Sequence, residues 1–112
     1  MARCESSPKP DHNGFREASL AAIASIPAGK VSTYGEIARM AGYPGYARQV
    51  GHLLKNLPQD SRIPWHRVIN SQGRIAFPTG SAPARRQHEA LVAEGVEVRA
   101  GKISLKRYFW PR

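Results

Sequence analysis

Closely spaced glycine and proline residues divide this chain of 112 residues into short segments. Pro27-Ala28-Gly29, Gly42-Tyr43-Pro44-Gly45 and Leu57-Pro58 each combine residues that end regular structure. Between these breaks, apolar residues recur near the spacing of an α-helix. The pattern therefore predicts one small domain that contains several short helices.

The first two helices are indicated by apolar spacing and by a capping motif. Apolar residues that include Phe15, Ala22 and Ile26 predict a first helix from about residue 13 to the break at residue 27. The string Thr33-Tyr34-Gly35-Glu36 fits a capping box, with Thr33 as the N-cap and Glu36 reaching back to it. A second helix is therefore expected over residues 34–41.

A third helix is predicted over residues 46–55, with Ala47, Val50 and Leu54 on its buried side. Together with the second helix and the glycine-containing turn between them, it forms a helix-turn-helix unit. This unit is common in DNA-binding proteins. The two helices could equally serve only to complete the core.

The second half of the chain predicts short strands and one more helix. Pro64 excludes a regular helix around it, whereas Pro83 in a first turn and Gly95 as a C-cap are typical helix ends. The expected elements are an extended piece at 31–33, strands at 68–69 and 74–77, a helix at 82–94, and a terminal hairpin with arms at 96–98 and 103–105. The fold class is α+β, mostly helical, with a helix-turn-helix and short strands.

The charge of the chain is strongly positive and unevenly distributed. Lysine and arginine number 17 against 8 acidic residues, which gives a formal net charge of +9. Between residues 37 and 88 there are eight basic residues and one acidic residue, Asp60. Such a stretch favours a polyanionic partner, most commonly nucleic acid. An ordinary solvated basic face is the alternative.

Several classes of protein are excluded by composition. No apolar run is long enough to span a bilayer, and the polar start lacks the apolar core of a signal peptide. We expect a soluble cytoplasmic monomer, nucleoid-associated in a bacterium, with a flexible leader at residues 1–11 and a single domain at 12–112. Because Cys4 is the sole cysteine and the histidines lack ligand spacing, no disulfide, metal or cofactor is expected.

Two predicted surface positions suit contact with DNA. The third helix presents Arg48 outward, and the small residues Ala47 and Gly51 allow a close approach to a nucleic-acid backbone. This combination favours the minor groove over base readout in the major groove. Tyr34 opens the second helix, where backbone N–H groups favour a phosphate; otherwise it is a half-buried surface aromatic residue.

The string Pro64-Trp65-His66-Arg67-Val68 resembles the active-site motif Pro-Cys-His-Arg-Val of the O6-alkylguanine-DNA alkyltransferases, with Trp65 in place of the cysteine. Segments 29–38, 41–42, 47–51 and 94–96 resemble further blocks of that family in the same order, so the resemblance covers about residues 13–98. It is strongest to the alkyltransferase-like proteins. The resemblance implies a winged-helix-like domain similar to the C-terminal DNA-binding domain of the alkyltransferases.

The same resemblance implies roles for individual residues. Trp65 and Tyr34 would border the pocket for the damaged base, Tyr34 would also push on the phosphate 3′ to the lesion, and Arg48 would enter the base stack. His66 and Glu94 would remain as a hydrogen-bonded pair without a catalytic purpose. Arg67 is interpreted as scaffold.

Two positions depart from the family pattern. Alkyltransferases usually have an asparagine eight residues before the acceptor, but this chain has Leu57 there and Asn56 one place earlier. The pocket residue thirteen places after the acceptor corresponds to Pro78. The wall of the pocket beyond Trp65 is therefore left open by the sequence.

These features predict a non-enzymatic sensor of DNA damage. It would bind duplex DNA that contains O6-alkylguanine through the minor groove, flip the lesion beside Trp65, and signal to nucleotide excision repair proteins. An indole offers no thiolate, so alkyl transfer to residue 65 is excluded. The alternatives are an active alkyltransferase that uses Cys4, and a general winged-helix DNA-binding protein without lesion preference.

Overall fold

The computed structural model describes residues 12–58 and 61–111, in which the breaks at glycine and proline separate five helices and two very short strands. In chain order these are α1 His12–Ala24, β1 Ser32–Thr33, α2 Tyr34–Met40, α3 Ala47–Lys55, β2 Val68–Ile69, α4 Ala82–Ala93 and α5 Leu105–Tyr108, with one turn of 3₁₀ helix at Trp65–Arg67. The predicted leader at 1–11 and Cys4 lie outside the described residues. None of the described helices is long and apolar enough to cross a membrane.

Strands β1 and β2 pair in parallel, with Ser32 opposite Val68 and Thr33 opposite Ile69. Since neighbouring strand residues face opposite sides, Val68 packs in one apolar cluster and Ile69 in another. In this parallel pair the Trp65–Arg67 turn leads into β2 at one end, and α2 leaves β1 at the other end, two residues away. The helix-turn-helix and the motif centred on Trp65 lie next to each other, because Trp65 packs against the apolar cluster to which α2 and α3 contribute.

Two apolar clusters form the core on either side of these strands. The first packs α1 against α2 and α3, and its buried members are Phe15, Ala22, Ile23, Ile26, Ile37, Ala38, Val50, Leu54 and Val68. The second lies between β2, α4 and the C-terminal segments, and its buried members are Val31, Ile69, Leu91, Val96 and Ile103. Val50 and Leu54 are buried as predicted, whereas Ala47 is only partly buried.

For the predicted capping box of α2, the role of Thr33 is confirmed and the role of Glu36 is wrong. Thr33 is the N-cap, and its Oγ1 accepts a hydrogen bond from the Glu36 backbone N–H at 3.1 Å. The Glu36 carboxylate does not reach back, because it accepts a hydrogen bond from Arg39 Nε at 3.1 Å one turn further along. The interaction of Glu36 with Arg39 therefore takes the place of the predicted hydrogen bond back to Thr33.

The strand predicted at 74–77 is wrong, because the chain after a tight turn at residues 70–74 runs against the C-terminal segment instead of back along β2. Asn70 Oδ1 accepts hydrogen bonds from the backbone N–H groups of Gln72 at 2.9 Å and Arg74 at 3.0 Å. Beyond that turn, Ile75 N donates to the Gly101 carbonyl at 3.0 Å. The segment therefore leaves β2 and runs against the C-terminal part of the chain.

The predicted terminal hairpin is reduced to one antiparallel bridge between Arg99 and Lys102. The arm predicted at 103–105 instead leads into α5, where the Ser104 Oγ accepts a hydrogen bond from Arg107 N at 3.3 Å. A serine cap followed by a short helix was not recognised from the sequence. In contrast, α4 begins and ends as expected, with Ser81 as N-cap and Gly95 at a φ of +88° just after the C-cap Glu94.

Replacement of Gly73 by alanine is expected to destabilise this fold more than replacement of Gly80. Both glycines have positive φ angles, +79° and +84°, so alanine costs about 1–2 kcal/mol at either position. Only at Gly73 would the added Cβ lie 2.7 Å from a backbone atom, the Ile103 oxygen. We expect a loss in the free energy of unfolding of about 3 kcal/mol for Gly73→Ala and about 1 kcal/mol for Gly80→Ala, measured by denaturant unfolding. Equal losses would contradict this account of the turn.

Candidate nucleic-acid interface

Trp65 is held by the short 3₁₀ turn that follows Pro64. Its backbone N–H donates to the Ile63 carbonyl at 2.7 Å, and Arg67 N donates to the Pro64 carbonyl at 3.0 Å. The indole is half-buried and packs against the first apolar cluster. Its ring meets that of Phe77 at right angles, with centroids 5.9 Å apart. The turn therefore presents Trp65 with one side packed and the other side facing an open cavity.

This cavity has a volume of about 390 Å³, which is within the usual range for small-molecule sites. Its lining residues are Leu54, Lys55, Leu57, Pro58, Trp65, Phe77, Pro83 and Arg86. Leu57 lies in the wall, whereas Pro78 and Tyr34 are not among the residues that line it. Phe77, which the sequence places at the end of a predicted strand, is among the lining residues.

Arg67, in the same turn as Trp65, forms an ion pair with Glu94. Arg67 Nε donates to Glu94 Oε1 at 3.0 Å and Nη2 donates to Oε2 at 2.6 Å, which is a bidentate arrangement. The remaining Arg67 Nη1 donates to the Ile26 carbonyl at 2.8 Å. The 3₁₀ turn, the end of α4 and the segment after α1 are thus joined through one guanidinium group. This agrees with the interpretation of Arg67 as scaffold.

His66 lies 2.9 Å from Glu94, Nε2 to Oε2, so the hydrogen-bonded pair implied by the family resemblance is present. The side chains of both residues are less than one fifth exposed, at 17% and 18%. The hydrogen bond from Arg67 lowers the pKa of Glu94 to about 2, with a further contribution from His66 against the opposing effect of burial. Glu94 is therefore a carboxylate that accepts hydrogen bonds from both neighbours.

Gln87 fixes the same turn from the side of α4, and sequence analysis did not single it out. Its buried Nε2 donates to the His66 carbonyl at 3.0 Å and to the Val68 carbonyl at 2.9 Å. Both hydrogens of one amide thus satisfy two backbone oxygens on either side of Arg67. Since buried polar groups of the main chain require partners, Gln87 holds the path of the chain that carries Trp65.

Tyr34 is the first residue of α2, and its ring lies against α3. A Cβ atom at Gly51 would be 4.0 Å from Tyr34 Cε1, an ordinary van der Waals distance, so the ring lies beside α3 at this position. Burial raises the pKa of the Tyr34 hydroxyl above its usual value of 10.0. The hydroxyl is therefore protonated at neutral pH and is a hydrogen-bond donor.

Arg48 lies in the first turn of α3 and is exposed. Lys55 ends the same helix and lines the cavity beside Trp65. The rise of an α-helix places these two residues about 10 Å apart along its axis. Helix α3 thus connects an exposed arginine near its start with the cavity at its end. Ala47, just before Arg48, and Gly51, between Arg48 and Lys55 in sequence, are both partly buried.

Comparison with known proteins agrees with this geometry. Residues 14–96 match the family described as 6-O-methylguanine DNA methyltransferase, DNA binding domain. A DNA base-flipping protein of Vibrio parahaemolyticus is 59% identical over 92 residues, which cover 81% of this chain and 90% of that protein. Alkyltransferase-like protein 1 of Schizosaccharomyces pombe is 50% identical over 94 residues, which cover 80% and 87%.

A solved structure shows the same fold. The crystal structure of S. pombe Atl1 in complex with damaged DNA containing O6-carboxymethylguanine matches with a TM-score of 0.83 and 46% sequence identity, over 89% of this chain and 97% of that one. The predicted fold class, a mostly helical domain with a helix-turn-helix and short strands like that of the alkyltransferases, is confirmed.

Replacement of Glu94 by glutamine is expected to lower the free energy of unfolding at neutral pH by about 2 kcal/mol, because Arg67 loses its charged partner. The folded-state pKa of about 2 lies below the ordinary value of 4.5. The stabilisation is therefore fully present above pH 4.5 and is lost as the pH falls towards 2. Denaturant unfolding at a series of pH values should show wild type and variant converging in acid.

The matched control for this pH series is Glu89→Gln, which removes a carboxylate from the exposed face of α4. It is expected to change the free energy of unfolding by less than about 0.5 kcal/mol at any pH. A gap between wild type and Glu94→Gln that stays constant down to acidic pH would contradict the assigned ion pair.

Proposed function

This chain belongs to the family of the 6-O-methylguanine DNA methyltransferase DNA-binding domain, and we propose that it binds duplex DNA containing O6-alkylguanine without removing the alkyl group. One observation carries this proposal: the half-buried Trp65 borders an open cavity of about 390 Å³. Trp65 stands where the resembling alkyltransferases have their acceptor cysteine. A base-sized pocket is thus retained while the nucleophile is replaced.

The lesion reaches this cavity by rotating out of the duplex. Proteins that handle a single base usually extrude it, at a cost of a few kcal/mol that is smaller for a poorly paired base. Arg48 is exposed in the first turn of α3, and the small side chain of the neighbouring Ala47 leaves space around it. In the proposed complex α3 lies along the minor groove, and the Arg48 side chain fills the space that the base leaves.

Tyr34 holds the rotated backbone from the other side of the helix-turn-helix. Its protonated hydroxyl donates to an oxygen of the phosphate 3′ to the lesion, and its ring lies beside Gly51 of α3. Exposed basic side chains, such as Lys55 and Arg86 at the cavity mouth, contact other phosphates. These phosphate contacts supply most of the affinity for intact DNA and make it dependent on salt.

The residues around Trp65 bind the lesion but do not transfer its alkyl group. The indole has no thiolate and no nucleophilic atom of low pKa. His66 is engaged with Glu94, whose carboxylate is shared with Arg67. The histidine–glutamate pair therefore serves as part of the scaffold that holds the turn, and the protein is not an enzyme.

A protein that leaves the alkyl group in place contributes to repair through a later step. We infer that one copy of the chain binds each lesion and that the bound, distorted DNA is passed to nucleotide excision repair proteins. Support comes from the missing acceptor at residue 65 and from the family membership. The stoichiometry of a DNA titration tests the monomer, and excision of a lesion-containing strand by repair proteins with and without this chain tests the handover.

The proposal is tested by titrating the protein against two duplexes that differ in one O6-methyl group, at the same salt concentration. The DNA is then recovered and its methyl content is measured. Tighter binding to the methylated duplex with the methyl group retained supports the proposal. Loss of the methyl group would indicate an alkyltransferase that uses Cys4, and equal affinities would leave a DNA-binding domain without lesion preference.

Arg48→Ala is expected to weaken binding to the methylated duplex roughly tenfold and binding to the intact duplex only two- to threefold, since base extrusion is stabilised by the side chain that fills the stack. Arg16→Ala is the matched control, because Arg16 is an exposed arginine on α1. It is expected to leave the ratio of the two affinities unchanged. If Arg48→Ala lowered the affinity for both duplexes equally, Arg48 would be an ordinary phosphate contact.

A further inference from the structure

Residues 97–108 form a second concave surface, the C-terminal groove, on the far side of the two strands from the helix-turn-helix. Ile103 is buried in the second apolar cluster, and Tyr108 packs against that cluster. The first cluster, to which α1, α2 and α3 contribute, lies on the other face of the strands. Within the described part of the chain, the groove and the cavity beside Trp65 share no lining residue. DNA on the helix-turn-helix therefore leaves the groove accessible.

The C-terminal groove has a volume of about 400 Å³ and carries more positive than negative charge. Its charged lining residues are Glu97, Arg99, Lys102 and Arg107. All of them are exposed, and the side chains of Arg99 and Arg107 remain 84% and 61% exposed although both contact Glu97. Three cations against one carboxylate favour a partner of negative charge at this surface.

One carboxylate, that of Glu97, already lies between the two guanidinium groups of the groove. Arg99 Nε donates to Glu97 Oε2, and Arg107 Nη1 donates to Oε1 at 3.0 Å. These hydrogen bonds lower the pKa of Glu97 below its ordinary value of 4.5. Because a guanidinium group has several N–H donors, each arginine keeps others for a carboxylate of a partner.

The turn at the edge of the groove holds two of the cations side by side. Arg99 and Lys102 exchange backbone hydrogen bonds at 3.0 and 2.9 Å and form an antiparallel bridge. Residues that face each other in such a pair project to the same side. Between them, Ala100 has a φ of +51°, which is uncommon for a residue with a side chain. The turn therefore presents two cations together on one surface.

Tyr108 adds an aromatic surface next to these cations. The Arg107 guanidinium carbon lies 4.9 Å from the centre of the Tyr108 ring, which is a cation–π contact. The Tyr108 hydroxyl accepts a hydrogen bond from the Glu97 backbone N–H at 3.2 Å, so the ring is fixed to the opposite side of the groove. Aromatic residues and arginines are typical of protein interfaces. A peptide can also place its carboxylates on either side of Glu97, whereas the evenly spaced phosphates of a duplex cannot.

We propose that the C-terminal groove binds an acidic peptide segment of a partner protein while DNA occupies the helix-turn-helix. Carboxylates of the peptide pair with Arg99, Lys102 and Arg107, and an apolar side chain of the peptide contacts Tyr108. This inference goes beyond the proposed function and rests on it only for the position of the DNA. A groove of this kind gives a second protein a means of recognising the chain in its DNA-bound state.

The test uses a short fluorescent peptide in which glutamate alternates with serine around one central phenylalanine. Its binding to the free protein and to the protein saturated with duplex DNA is measured by fluorescence anisotropy at fixed salt. The same peptide with glutamine in place of glutamate is the control ligand. We expect affinities for free and DNA-saturated protein that agree within about twofold, and binding of the glutamine peptide that is weaker by roughly tenfold.

Three variants separate the groove from the net charge of the chain. Lys102→Glu should lower the affinity for the glutamate peptide roughly fivefold and Arg107→Gln roughly threefold, because each removes a cation from the groove. Arg16→Glu is the matched control, since it makes the same change in net charge as Lys102→Glu at an exposed position of α1. It should leave the peptide affinity within about twofold of wild type. Thermal unfolding of each variant verifies that it folds.

The possible results distinguish this inference from the proposed function. If DNA displaces the peptide, or if Arg16→Glu weakens peptide binding as much as Lys102→Glu, the inference is overturned. If Lys102→Glu instead abolishes binding of a second duplex or dissociates a dimer of the chain, the groove has another occupant and the inference is again overturned. Peptide binding by a protein without preference for O6-methylguanine would contradict only the proposed function. Lesion preference without peptide binding would contradict only this inference.

Discussion

The bidentate pair of Arg67 and Glu94 is the interaction on which the rest of the site depends. Through it, the turn that carries Trp65 is fixed to the end of α4, and through the Ile26 carbonyl to the segment after α1. Gln87 adds two hydrogen bonds to the same turn. In the proposed complex Trp65 receives an extruded base, and its turn requires such support because a turn of three residues has little stability of its own.

This scaffold explains how a site of the alkyltransferase family can keep its shape without its reaction. His66 is paired with Glu94, and Glu94 also neutralises Arg67, so the stability of the fold gives a reason for these side chains to keep their positions. The residue that faces the cavity is free to change from a nucleophile to a binding surface. In the proposed function, base binding is thereby separated from alkyl transfer, and Trp65, packed edge to face with Phe77, stands where the alkyltransferases have their cysteine.

Local signals in the sequence predicted local structure well, and long-range contacts were the ones missed. The spacing of apolar residues and the Thr33 cap placed the first three helices to within a few residues. By contrast, the position of Phe77 depends on the Asn70 turn and on hydrogen bonds to the C-terminal segment around Gly101. A string such as 74–77 has the same strand-like composition whether it pairs with β2 or leaves it, so only the fold decides.

The central claim is that the cavity beside Trp65 receives the extruded lesion with its alkyl group intact. The most direct measurement is a crystal structure of the protein bound to a duplex with one O6-methylguanine. The account predicts the methylated base outside the helix against Trp65, the Arg48 side chain within the base stack, and continuous density for the methyl group on O6. A methylated base that remains stacked and paired in the duplex, with the cavity beside Trp65 not contacting DNA, would contradict it.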